Sequence, residues 1–261
     1  MTTAFRSAQI AGRLSVLLAL LALSGCRPPP RDLVQGYVEG EFVYVASPLS
    51  GTLTTLAVQR GAQVKSGDLL FSLDDTMEEA ARDQAKTAIT LSEVEMVRQE
   101  KLFRMGPGAA QDLDRARAAR DQDKQRLTQA EWNLAQKQQA APGDAFVYDT
   151  LFRRGEWVAA GKPIVSLLPP QNIKVRAFVP ETWLGGIHVG DTVRVSVDGA
   201  AQEFAGRISY ISPRAEYTPP VIYSKESREK LVYLIEIVFE PESAARLHPG
   251  QPVDVRFDSR S

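Results

Sequence analysis

Reactive side chains are scarce in this chain. Its 261 residues include one cysteine, Cys26, and two histidines, His188 and His248. A lone cysteine rules out any disulfide within the chain. Each histidine sits in a turn beside a glycine, with no second histidine, cysteine or acid at ligand spacing, so no metal site is expected. The sequence also lacks a Gly-x-Ser-x-Gly elbow, a P-loop and a Gly-x-Gly-x-x-Gly opening a helix. Its carboxylate pairs, Asp74-Asp75 and Glu78-Glu79, fall where a helix should begin, and acids there suit the helix dipole without any chemistry. No enzymatic activity and no cofactor is therefore expected. A net charge of −1 gives no whole-chain attraction to nucleic acid. The apolar run Leu14 to Leu23 rises only about 15 Å as a helix, against a bilayer core of about 30 Å. It is too short to span.

That run fits a secretory signal instead. Arg6 and Arg13 make a basic start, and the run ends in Leu23-Ser24-Gly25-Cys26, followed by Arg27 and three prolines. The ending resembles a bacterial lipobox. The resemblance implies a signal peptide over residues 1–25, cleavage just before Cys26 and acylation of its thiol. The mature protein would then sit in the periplasm of a Gram-negative bacterium, lipid-anchored to the inner or outer membrane. Residues 26–36, proline-rich and then turn-like, are expected to be a tether. Val38 to Val45 reads as an approximate strand leading onward.

The most informative pattern is a duplication. Sliding the sequence by 94 positions without a gap lays Pro48 on Pro142, Arg60 on Arg154, Gly61 on Gly155, Val64 on Val158 and Gly67 on Gly161. Leu70 then meets Ile164, Ser72 meets Ser166 and Leu73 meets Leu167. Each copy alternates apolar and polar residues between glycine turns, which predicts short half-buried strands. A unit this small cannot bury its apolar face alone, so the two halves should pack together. The pattern resembles the two halves of a biotinyl/lipoyl-like sandwich, here residues 37–75 and 140–169. In prosthetic-group carriers of that kind a modified lysine stands on the joining turn. The joint here, Leu73 to Thr76 and Ala140 to Pro142, has none, so a biotin or lipoate carrier is the less favoured reading.

Between the copies, residues 76–139 have a different character. Glycine and proline occur there at one place, Gly106-Pro107-Gly108, and strong helix formers fill the rest. The insert must leave the sandwich and return to it, which predicts an antiparallel helical hairpin. Two arms of about 29 residues would extend on the order of 40 Å. On the return arm Leu113, Arg120, Leu127 and Leu134 fall seven apart, with Ala116, Asp123, Ala130 and Lys137 three residues after each. This is a weak coiled-coil seam, alanine allowing close approach. Candidates on the outgoing arm are Ala81, Ala85, Ala88, Leu91, Val94 and Leu102.

Residues 170–261 alternate again, in IKVRAFV, VRVSV, FAGRISYI and LVYLIEIVF, separated by regular turns. Such a series predicts a small antiparallel β-barrel. Pro213 to Lys230 reads as a long polar loop. One turn phrase recurs, Val64-x-x-Gly67, Val158-x-x-Gly161, Ile187-x-x-Gly190 and Leu247-x-x-Gly250, as a folding device.

The fold class expected is α+β, mainly β: a split biotinyl/lipoyl-like sandwich with an inserted helical hairpin, then a barrel. In this order, roughly Val34 to Phe257, the chain resembles HlyD-type membrane fusion proteins, the periplasmic adaptors, and its barrel phrases resemble those of adaptors serving ABC-type exporters. The resemblance implies a subunit linking an inner-membrane ABC-type transporter to a TolC-like outer-membrane channel, in a homo-oligomeric ring. In the family an arginine at the hairpin tip, a leucine four residues on and a serine seven further meet the channel. Counting likewise gives Arg98, Leu102 and Ala109, the last departing from serine. The sequence stops at Ser261, so the family's membrane-proximal fourth domain is expected to be absent or vestigial. The alternative function is a free-standing envelope lipoprotein scaffold.

Overall fold

The computed structural model describes residues 33–106, 110–200, 202–217 and 231–257. They form two compact units, Val38–Lys174 with Val238–Gln251, and Val175–Ile237 with the residues up to Tyr37 and from Pro252 onward. The described chain opens with strand β1 (Leu33–Gly40), which closes the barrel of the second of these units.

The first unit is built on eight short strands: β2 (Val43–Ala46), β3 (Gly51–Leu56), β4 (Gln63–Val64), β5 (Leu69–Leu73), β6 (Gln138–Ala140), β7 (Ala145–Thr150), β8 (Trp157–Val158) and β9 (Pro163–Leu168). They form two four-stranded sheets of order β2-β9-β7-β4 and β6-β5-β3-β8. Each sheet therefore takes two strands from each copy of the repeat. The backbone hydrogen bonds follow the same exchange. Gly61 N–H donates to Val147 O at 2.9 Å, and Gly155 N–H to Leu53 O at 2.8 Å. Leu53 N–H in turn donates to Glu156 O and Val147 N–H to Ala62 O, both at 2.8 Å. Every one of these partners lies 94 residues from its counterpart. One copy alone would leave these groups unpaired, which buried backbone does not tolerate. The halves interleave, a closer union than face-to-face packing. Their shared core includes Leu53, Leu70, Phe71, Leu73, Val147, Ile164 and Leu167.

The insert forms helices α1 (Thr76–Met105) and α2 (Ala110–Ala135). At the base, Glu78 near the start of α1 meets Lys137 just past α2 at 3.0 Å, while four residues join the far ends. The helices are therefore antiparallel, and thirty residues of α1 rise about 45 Å. On α2 the seam includes Leu113, Ala116 and Ala130, which are buried as the heptad spacing required. Lys137 does not belong to it: the helix has ended, and the side chain is buried at the hairpin base. On α1 the buried pair is Ala85 and Ile89, continued by half-buried Ser92, Met96 and Gln99. Ala81, Leu91, Val94 and Leu102, expected in the seam, are exposed. The reason is phase: steps of 85, 89, 92, 96 keep one face toward α2, and 91, 94 and 102 fall off it.

The second unit is a closed barrel of order β1-β10-β13-β12-β11-β14, with β10 (Ile173–Pro180), β11 (Thr192–Val197), β12 (Phe204–Tyr217), β13 (Leu231–Val238) and β14 (Pro252–Phe257). Its interior alternates as period two demands; Val175, Ala177, Val179, Val193, Val195, Ile235, Ile237 and Val255 are buried. β1 pairs antiparallel with β14, Val34 opposite Val255. Residues 33–36, assigned to the tether on sequence, are thus barrel, and the strand expected over Val38 to Val45 is broken after Gly40. β6 likewise makes the last residues of 76–139 part of the sandwich. β12 runs to Tyr217, so the loop expected from Pro213 begins later; its remainder, 218–230, lies outside the described residues. A one-turn helix, α3 (Pro241–Ala244), follows β13.

The recurring turn phrase is one device used four times. Gly67, Gly161, Gly190 and Gly250 have φ of 87°, 74°, 102° and 90°, values that glycine adopts without a Cβ penalty. In three of the four, the residue after the glycine accepts a hydrogen bond from the N–H three residues before it: Lys65 to Asp68, His188 to Asp191 and His248 to Gln251. Both histidines thus have a structural position, and among the described residues no group of three or more His, Cys, Asp or Glu is placed to hold a metal ion.

Candidate functional site

The surface most in need of a partner is the outer side of α1. Leu91, Val94, Val97 and Met105 are all exposed there, Leu91 at 72%. Leu91, Val94, Arg98 and Met105 step by three, four and seven, a second heptad track turned away from α2. Arg98 lies in the middle of it. Its side chain is 65% exposed, and its Nη1 donates to Glu95 Oε2 at 2.9 Å, one turn back on the same helix. An exposed pair of this sort contributes under about 1 kcal/mol, so the guanidinium is easily recruited by a partner. Thr90, Glu93, Val94, Val97, Arg98 and Lys101 together line a shallow depression. Leu102 is exposed one helical turn after Arg98. Arg98 and Leu102 are therefore presented outward, near the end of the hairpin. Ala109 and Cys26 lie outside the described residues.

Sequence reasoning missed the residue that fixes the hairpin to the sandwich. Lys137 is only 4% exposed, and its Nζ reaches Glu78 Oε1 at 3.0 Å and the Ser50 carbonyl oxygen at 2.9 Å. Beside it Ser47 Oγ donates to the Gln136 carbonyl at 2.8 Å. One lysine thereby joins the first helix, the end of the second and the loop before β3. The available signal was a lysine at a position where the seam would want an apolar residue. Lys137 is also the lysine nearest the joint, and its buried amine offers nothing to an acylating enzyme.

The first turn of α1 is held by Asp74 rather than by a side chain at Asp75. Asp74 Oδ1 accepts from Thr76 Oγ1 at 2.7 Å and from Thr76 N–H at 3.1 Å. The Thr76 hydroxyl and amide, with a lesser contribution from Lys137, hold the Asp74 carboxyl below its ordinary value of 3.8. A carboxylate with a lowered folded-state pKa stabilises the fold above its unfolded value and loses that contribution as pH falls through the folded one. The base of the hairpin should therefore loosen below pH 3.8, and Asp74→Asn should flatten that acid response. Hydrogen exchange of the first α1 turn between pH 5 and 2.5 checks it.

Comparison with known proteins places this geometry among relatives. No protein-family profile matches the chain. It is 30% identical over 179 residues to the UPF0194 membrane protein in asrC 5'region of Acidithiobacillus ferridurans, covering 67% of this chain; the chain spans 52%, about half, of that relative's length. With the UPF0194 membrane protein YbhG of Salmonella gallinarum it shares 29% identity over 290 aligned positions, 85% of this chain and 87% of that one. Its fold matches the membrane fusion protein Spr0693 of Streptococcus pneumoniae with a TM-score of 0.66 at 20% identity, covering 88% of this chain and 99% of the other. The likeness to Spr0693 is one of fold. Among the described residues no helix is long and apolar enough to cross a membrane.

Proposed function

We propose that the chain is a periplasmic adaptor of a bacterial export system, linking an inner-membrane transporter of ABC type to an outer-membrane channel. The observation that carries this reading is the second heptad track on α1. A hairpin inserted at the joint of an interleaved sandwich presents Leu91, Val94, Arg98 and Met105 outward, with no element of the described chain packed on them. Exposed apolar residues at heptad spacing suit another helix, so neighbouring hairpins of a homo-oligomeric ring would cover the track and the tips would meet the channel. Arg98 and Leu102 are the docking residues on this reading, and Ala109 stands in the sequence where the family's serine would be. The lipid on Cys26 would hold the ring at a membrane. The membrane fusion fold and relatives named as membrane proteins support the assignment. The mechanism is assembly, with no bond made or broken by this chain.

Photocrosslinkers placed at Arg98 and Leu102 in living cells test the docking. Capture of an outer-membrane channel is the expected result. Arg98→Glu combined with Leu102→Asp should reduce export at least about tenfold while leaving the folded protein and its membrane anchoring intact. Export at the normal level without residues 76–139 would overturn the reading.

A further inference from the structure

The duplication supplies its own control for the sandwich. Thr52 and Thr54 on β3 correspond, 94 residues on, to Phe146 and Tyr148 on β7. In both strands these positions point away from the core, since Leu53 and Val147 between them are fully buried. The sandwich itself therefore has no need of aromatics there. Yet Phe146 and Tyr148 stand on that outer face, 37% and 39% exposed, and Tyr148 packs on Phe42 with ring centroids 4.3 Å apart. Facing them within the same unit, the segment after α3 brings Ala245, Leu247 and Pro249 over the sheet. The space left between is a pocket of about 210 Å³.

We propose that this pocket binds a small, neutral, planar aromatic molecule carrying one hydrogen-bonding group. The size fits: an apolar cavity of about 150 Å³ accepts benzene, so this one has room for one or two fused rings. Its floor is preformed, because Leu168, Ile173 and Leu247 are buried by the fold. Its walls present the rings of Phe146 and Tyr148, whose faces favour offset or edge-on contact with a third ring. No Asp, Glu, Lys or Arg lines it, which disfavours a charged ligand. Polar groups stand at its rim. The Gln63 carboxamide, the Tyr148 hydroxyl and the His248 imidazole line the pocket without hydrogen-bonding to any described residue, so they are available to orient a ligand. The proposal stands apart from the adaptor reading, since the pocket is far in sequence from the hairpin track and shares no residue with it.

The test uses the full chain in lipid nanodiscs, because detergent alkyl chains would compete for an apolar site. Indole, neutral and planar with one N–H, is the probe, followed by saturation-transfer NMR. Binding in the submillimolar to millimolar range is expected, with cyclohexanol at least about fivefold weaker because it has no ring face. Ala245→Trp should fill the pocket and weaken indole binding at least tenfold, and Tyr148→Ala should weaken it about fivefold. Thr52→Ala on the equivalent face should change nothing. Were the Ala245 variant to lose its native unfolding midpoint, Tyr148→Ala decides. Three results overturn the proposal: no transfer to indole at millimolar concentration, undiminished binding in both variants, or cyclohexanol binding as well as indole.

Discussion

Lys137→Met should destabilise the sandwich and loosen the hairpin on it, by about 3 kcal/mol. Removing one partner of a buried ion pair costs about 3–5 kcal/mol, because the other charge is left without compensation. The lower end applies here: Lys137 is buried, but the Glu78 side chain keeps 22% of its exposure and recovers some hydration. The Ser50 carbonyl also loses its donor. Arginine should not rescue. A Cβ added to Gly51 would already come within 3.2 Å of Nζ, which shows how little room surrounds the ammonium. Adding Glu78→Leu to Lys137→Met should restore much of the loss, since a well-packed apolar pair often matches a buried ion pair. Denaturant unfolding of the single and double variants checks the energies. Hydrogen exchange over the first turns of α1 checks that the hairpin base is what loosens. Unchanged exchange there in Lys137→Met would show that the ion pair does not set the hairpin.

Gly36→Ala should open the barrel. A Cβ on Gly36 would lie 2.4 Å from the Arg176 carbonyl oxygen and 3.0 Å from Ala177 Cα. These are backbone atoms of β10, so no side-chain rotation relieves the clash, and β1 must move off its neighbour. Overpacking typically costs about 1–3 kcal/mol, and a clash with backbone belongs at or above the top of that range. For a domain of this size each kcal/mol lowers Tm by about 4–8 °C, so a fall of at least about 12 °C is expected in the barrel transition. Trp183 reports it, because its ring meets Phe257 edge-on at 5.8 Å inside that unit. Gly106→Ala is the control: nothing lies within 4 Å of its added Cβ. Equal thermal midpoints for the two variants would show that β1 is not needed to close the barrel.

Some of this was fixed by local pattern. The 94-residue repeat announced two matching sets of strands, because glycines at turns and period-two alternation are read within a few residues of themselves. Helix composition marked the insert, and the spacing of Leu113, Ala116 and Ala130 marked the buried side of α2 for the same reason. The turn phrase was likewise legible, with its glycines at positive φ.

Tertiary structure decided what depends on partners distant in the chain. That the two copies exchange strands is invisible in either copy, since it is a matter of which N–H of one copy meets which carbonyl of the other. The first four residues of β1 read as tether because their pairing partner, β14, lies more than two hundred residues on, and a strand of barrel has no local signature beyond weak alternation. On α1 the apolar residues outnumbered the seam positions, so composition alone could not choose the phase; packing against α2 turned Leu91, Val94 and Leu102 outward and made Arg98 part of an open face. Lys137 looked like a flaw in a heptad and is the buried pin of the hairpin. The sequence determined that a hairpin exists, because helix propensity acts locally; only the fold decided which of its faces is left for a partner, because that depends on what the other helix has already covered.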